Sequence, residues 1–210
     1  MAAGRRDAAD LGRSLCIITG ASRGLGWALS MVLAPRLMPG SHLVLVARSG
    51  ERLQQLEARL LEESPGRGGQ VRLSRVEADL SREEGLQRVL NTAISTEGAA
   101  PDRLLLINNA ERFSARASVQ LASRVQISST LIGCLCSAQL TVSFAHTGPL
   151  DTDMQKQARL ETADPELRQT FLTMHQEGQL INCHDSARKL VNILIRDDFP
   201  SGAHIDYYDQ

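Results

Sequence analysis

Apolar positions along this chain follow two rhythms that take turns. Leu15-Cys16-Ile17-Ile18 is an unbroken apolar run ending at Thr19, the pattern of a strand covered on both faces. Gly24 to Leu37 then reads as a helix. Pro39-Gly40 interrupts it, and His42-Leu43-Val44-Leu45-Val46-Ala47 forms a second apolar strand. Glu51 to Glu63 is helical, because Leu53, Leu56 and Leu60 recur at spacings of three and four on one face. A loop at Pro65-Gly66-Arg67-Gly68-Gly69 precedes an alternating third strand, Val71 to Val76. Ser81 with Glu84 three residues on predicts a capping box, opening a helix that turns Leu86, Val89, Leu90 and Ile94 to the core. Leu104-Leu105-Leu106-Ile107 is a fourth strand, and Asn108-Asn109-Ala110 follows it.

This alternation predicts an α/β protein with a Rossmann-like, doubly wound parallel sheet and helices on both faces. Further on, Asp164-Pro165-Glu166 starts a helix that runs to about Glu177. Asp185 to Ile195 is amphipathic, with Ala187, Leu190, Val191 and Leu194 on its core face. Gly202 to Tyr207 reads as a last strand. The segment 111–146 is atypical: it holds no sustained period, and a strand near Val125 to Ile127 and a helix or strand near Leu131 to Leu140 are the elements it allows.

Composition narrows the picture modestly. The 210 residues fit a single domain over 1–210, with 1–12 a flexible N-terminus. A net charge of -1 argues against nucleic acid as a partner. No apolar run reaches the roughly 20 residues a bilayer span requires, so no membrane partner is expected. The N-terminus lacks an apolar signal region, and Asp7 and Asp10 weigh against a transit peptide, so the cytoplasm is the expected compartment. Cys134, Cys136 and His146 match no common zinc spacing, and no metal site is expected.

Candidate chemistry begins directly after the first strand, at Gly20-Ala21-Ser22-Arg23-Gly24-Leu25-Gly26. A strand that ends in a glycine-rich turn and enters a helix suits a phosphate: the backbone approaches closely, and the helix offers unpaired N–H groups. A carboxylate after the second strand would favour NAD, but Arg48 stands there, followed by Ser49. With Arg23 in the turn, two guanidinium groups favour the 2′-phosphate of NADPH; the alternative is a pair of solvated surface arginines. Asp79-Leu80, after the third strand, suits either the adenine amino group or a helix cap. Asn108-Asn109-Ala110, after the fourth, places amides at the sheet edge where ligands bind, with Asn108 expected at the cofactor, or forms a plain asparagine turn.

Together these motifs resemble the short-chain dehydrogenase/reductase family. Gly148-Pro149-Leu150-Asp151-Thr152-Asp153-Met154-Gln155, Ser186-Ala187-Arg188-Lys189-Leu190 and Ser201-Gly202-Ala203-His204-Ile205-Asp206-Tyr207-Tyr208-Asp209 are similar to the sepiapterin reductase branch of it. The resemblance covers about residues 12–110 and 147–210. It implies NADPH-dependent reduction of pterin side-chain carbonyls in tetrahydrobiopterin synthesis, by a cytosolic homodimer. It further implies that Leu150, Asp151, Thr152, Asp153, Met154 and Gln155 close over the cofactor, unless Asp151-Thr152-Asp153 only caps a helix. Asp206 would accept hydrogen bonds from the amino-pyrimidine edge of the pterin.

The chemistry of that family also requires a tyrosine with a lysine four residues later, and a serine upstream. The tyrosine gives a proton to the carbonyl oxygen, the lysine lowers its pKa, and the serine orients the carbonyl. Ser129, in Ser128-Ser129, resembles the serine. The chain's two tyrosines are Tyr207 and Tyr208, and no Tyr-x-x-x-Lys exists. Two strand–helix units of about 30 residues each should lie between Ala110 and Gly148, and the chain offers fewer than about 40 residues there. The expectation is an altered isoform lacking a strand–helix unit and impaired in turnover. The alternative is a non-catalytic NADPH- and pterin-binding form that modulates the full-length enzyme in mixed dimers.

Overall fold

The computed structural model describes residues 11–63, 71–95, 101–110, 139–140, 143–146, 149–198 and 203–209. Strand β1 (Ser14–Thr19) and strand β2 (His42–Ala47) are buried at every position. That explains their unbroken apolar runs, since both faces of each strand meet side chains. Helix α1 (Gly24–Leu33) leads from β1, α2 (Gly50–Glu63) from β2, and α3 (Glu83–Ile94) follows strand β3 (Arg72–Glu77). Strand β4 (Arg103–Ile107) completes the first half.

These strands form a parallel sheet in the order β3-β2-β1-β4-β5, where β5 is the short strand Gln139–Leu140. Alternate residues of β1 sort into two cores. Cys16 and Ile18 face α1 and α2 through Leu29, Leu33, Leu53 and Leu56. Leu15 and Ile17 face α3 through Leu86, Val89 and Leu90. Helices on both faces of a parallel sheet establish the doubly wound α/β class.

The chain continues with strand β6 (Ser143–His146), helices α4 (Asp153–Glu161), α5 (Pro165–Gln176) and α6 (Cys183–Arg196), and strand β7 (Ala203–Asp206). Strands β6 and β7 pair in parallel as a second sheet, with His146 opposite Asp206. Helix α6 lays Ala187, Val191 and Leu194 into the core that α1 shares. Its far end is fixed by Arg103, at the start of β4. That guanidinium donates to the Leu194 carbonyl at 3.4 Å and to the Asp197 carboxylate at 2.6 Å, where Asp197 ends the helix with φ of 50°.

Several expectations need correction. Helix α1 stops at Leu33 rather than Leu37, and Ala34–Arg36 forms a 3-10 turn, because Pro35 has no N–H to continue the α-helical ladder. No capping box forms at Ser81. The Ser81 hydroxyl and N–H both donate to Asp79 Oδ1, at 2.7 and 3.0 Å, and α3 starts only at Glu83. Ile94 is 48% exposed, and Ala93 takes its place in the core. At about 100° per residue, position 93 stays in line with Leu86 and Leu90 while 94 rotates away. The last strand ends at Asp206, and Tyr207–Asp209 forms a 3-10 turn. The strand expected at Val125 to Ile127 lies outside the described residues. Among the described residues, no helix is long and apolar enough to cross a membrane.

His42 makes stability depend on pH. It is 2% exposed, its Nε2 lies 2.8 Å from Ser74 Oγ, and burial aided by the Arg72 charge pulls its pKa from 6.5 to about 4. Between these values the unfolded chain takes up a proton that the folded chain refuses. The contribution is therefore complete above pH 6.5 and lost as pH falls towards 4, by about 3 kcal/mol at most. Urea unfolding at pH 7.5 and pH 4.5 should show a steeper acid loss in the natural chain than in His42→Gln.

Candidate functional site

The candidate site is built where β1 ends, at the carboxyl edge of the parallel sheet. Gly20 has φ of 68° and Gly24 φ of 56°, a region that residues with a Cβ rarely adopt. Gly26 answers a different need. A Cβ there would run into the Gly20 carbonyl and come within 2.6 Å of Asn109 Nδ2. The glycine at 26 thus lets α1 press directly onto the turn. Among the described residues no side chain caps α1, and its first turn carries no acid.

A second loop holds this turn in place. The Thr19 hydroxyl donates to the Ile107 carbonyl at 3.3 Å and accepts from the N–H groups of Asn109 and Ala110, at 2.9 and 3.0 Å. The Asn109 side-chain amide donates to the carbonyls of Thr19 and Gly20, at 3.2 and 3.3 Å. Of Asn108-Asn109-Ala110, which the sequence places at this edge, Asn109 is the residue whose side chain engages the turn. The parallel pairing of β1 with β4, which sets Ile18 opposite Ile107, carried the signal: the residues after both strands must meet.

Arg48 and Ser49 sit at the carboxyl end of β2, with Arg48 exposed. Ser49 Oγ accepts from the Arg52 N–H at 3.4 Å and so supports the first turn of α2. Glu77 escaped the sequence reading. Its carboxylate leans against Gly50, where an added Cβ would meet Glu77 Cδ at 3.2 Å, so an acid already faces the start of α2. Asp79 organises the turn before α3 through Ser81, and Leu80 packs at the edge of the α3-side core.

The segment 150–155 is brought against the glycine turn. A Cβ on Gly24 would meet Thr152 Cγ2 at 3.4 Å, and the Arg23 guanidinium lies 3.5 Å from the Asp153 carboxylate, both side chains exposed. Thr152 caps α4, its Oγ1 accepting from the Gln155 N–H at 3.2 Å. Leu150 packs on the main core, while Asp151 and Ile181 tie the segment down: the Asp151 N–H donates to the Ile181 carbonyl at 3.0 Å, and the Ile181 N–H to the Pro149 carbonyl at 2.7 Å. Gln155 turns away from the glycine turn, since its amide donates to the Phe171 carbonyl at 3.3 Å and its oxygen accepts from Arg159. Met154 is half-buried.

Asp206 closes β7, and the next residue, Tyr207, is covered by the Lys189 ammonium 4.4 Å from its ring centroid. Ser129, Cys134 and Cys136 lie outside the described residues. Among the described residues, no group of three His, Cys, Asp or Glu side chains could hold a metal ion.

No family model matches the chain. Among curated proteins, the sepiapterin reductase of Bos taurus is 35% identical over 263 residues, covering 95% of this chain and 96% of that protein. The sepiapterin reductase of Meriones unguiculatus is 35% identical over 267 residues, covering 97% and 99%. Among solved structures, the L-sorbose reductase from Gluconobacter frateurii complexed with NADPH and L-sorbose superposes with a TM-score of 0.68 at 18% identity, covering 94% of this chain and 96% of that one. That likeness is one of fold.

The close approach at Gly26 can be tested by adding one methyl group. Gly26→Ala should lose about 1–3 kcal/mol in urea unfolding, because backbone must move to admit it. Gly12→Ala is the comparison: it strains a positive φ, which Gly26 does not have, while its Cβ meets nothing within 4 Å. A Gly26→Ala variant as stable as the natural chain would contradict the packing described.

Proposed function

Because this chain belongs to the sepiapterin reductase family of oxidoreductases, we propose that it binds NADPH along the glycine turn and a pterin at the end of β7. One observation carries the cofactor half: a turn kept free of Cβ atoms at Gly20 and Gly26 meets a helix start that no side chain caps among the described residues. Residues 20–26 would hold the pyrophosphate on backbone N–H groups. Arg23 and Arg48 would take the 2′-phosphate. The acid already leaning on α2 gives the guanidinium groups, rather than that helix's dipole, this task. Asp79 and Leu80 would border the adenine, and Asn108 the nicotinamide end of the cleft. Residues 150–155 would cover the cofactor, and their contacts with Arg23 and Gly24 support this.

Bound NADPH supplies a hydride to a carbonyl carbon. The chain's own work is to orient that carbonyl, exclude water and deliver a proton to its oxygen. Asp206 would grip the amino-pyrimidine edge of the pterin, and Ser129 would orient the carbonyl. The proton is the weak point, since no Tyr-x-x-x-Lys stands anywhere in the sequence. The proposal is therefore a reductase scaffold with impaired turnover in the cytoplasm.

A second reading also has support. The alignment with the bovine relative runs to 263 residues, more than the 210 present here, so parts of that protein have no counterpart in this chain. A shortened form that binds NADPH and pterin without turnover would modulate the full-length enzyme through mixed dimers.

Fluorescence titration with NADPH, followed by assay of NADPH oxidation with sepiapterin, tests the proposal. Binding with little or no oxidation is expected, and enzyme-like rates would overturn the impairment. Replacing Arg48 with Asp should weaken NADPH at least about tenfold while leaving NADH nearly unchanged. Equal losses for both nucleotides would remove Arg48 from the 2′-phosphate.

A further inference from the structure

We propose that Lys189 is a positioning residue for the pterin anchor, a role that rests on the pterin reading above. Lys189 lies on α6, the helix that buries Ala187, Val191 and Leu194 in the core shared with α1. Its ammonium stands 4.4 Å over the centroid of the Tyr207 ring and donates to the Tyr207 backbone carbonyl. One side chain thus holds both the ring and the main chain of a single residue. That residue directly follows Asp206, the last position of β7.

The double contact has a physical consequence. A cation over an aromatic face is attracted to the ring, and more strongly when both are shielded from water. Lys189 and Tyr207 are both half-buried. Tyr207 is braced from another side by Tyr208, whose ring meets it edge-on at 5.3 Å and 85°. The turn Tyr207–Asp209 is only three residues long and has little stability of its own. Without Lys189, the end of β7 would sample more orientations, and a carboxylate there would grip a flat, hydrogen-bonding edge less well.

The contact also joins the two halves of the site. The glycine turn feeds α1, α1 packs on α6, and α6 presents Lys189 to the residue after Asp206. Rigid elements separate the cofactor cradle from the pterin anchor along this route, so Lys189 sets the position of one relative to the other.

Lys189→Met keeps the length of the side chain and removes its charge and donors, while Lys189→Arg keeps both. Sepiapterin and NADPH affinities are measured on the whole chain for each variant, together with the near-ultraviolet circular dichroism of the tyrosines. Lys189→Met should weaken sepiapterin about tenfold, leave NADPH within about twofold, and diminish the tyrosine signal. Lys189→Arg should restore most of the affinity and the signal. Unchanged sepiapterin binding in Lys189→Met overturns the proposal, as does an equal loss of both ligands, which marks general damage. Asp206→Asn separates the two readings. If it binds sepiapterin as tightly as the natural chain, the anchor itself is misassigned and the role of Lys189 falls with it. If it loses binding while Lys189→Met keeps it, only the role of Lys189 falls.

Discussion

The amide of Asn109 clasps two carbonyl oxygens, those of Thr19 and Gly20, and the rest of the ligand edge hangs from that clasp. A tight glycine turn leaves backbone carbonyls that neither strand nor helix satisfies. In the interior each would cost on the order of 1–3 kcal/mol if left unpaired. Asn109 supplies the missing donors, and Thr19 returns the bond by accepting from Asn109 and Ala110. Two loops that are remote in sequence thereby become one rigid floor. The absence of a Cβ at Gly26 lets α1 stand on that floor rather than beside it.

The electrostatic layout around this floor is mixed rather than uniformly positive. Arg23 already faces Asp153, and Glu77 already leans on the first residue of α2. Both pairings involve exposed groups in water, where such attractions are weak and easily exchanged. A dianionic phosphate would compete well for a guanidinium held this loosely. Thr152 and Asp153 rest against the glycine turn at Gly24 and Arg23.

Much of the fold was legible because burial writes a clear pattern. The six buried positions of β1 and of β2 have no solvent face, so their sequences carry no polar alternation. Helix α6 was legible for the opposite reason: one face is core and the other is solvent, as Ala187, Val191 and Leu194 show. What failed was local choice between equivalent donors and acceptors. Ser81 suits a cap in sequence, but Asp79 lies closer and takes its hydroxyl. Asn108 and Asn109 are the same residue type, and local spacing alone does not say that Asn109 clasps the turn; the parallel register of β1 and β4 brings it there. Glu77 was invisible because its effect depends on β3 lying beside β2, a contact that no local spacing encodes. The glycine turn itself was readable, since its demands fall on consecutive residues.

The bond between Arg103 and Asp197 joins residues 94 apart in the chain. At synthesis rates of about 5–20 residues per second, β4 waits on the order of ten seconds for its partner to be made. Helix α1 (Gly24–Leu33) emerges earlier still, long before α6 (Cys183–Arg196), whose Ala187, Val191 and Leu194 share its core. The α6 side of α1 therefore stays without its cover until Cys183–Arg196 has been made. Apolar surface left waiting in this way is the kind that chaperones cover during synthesis, and late closure by α6 sets how long it waits.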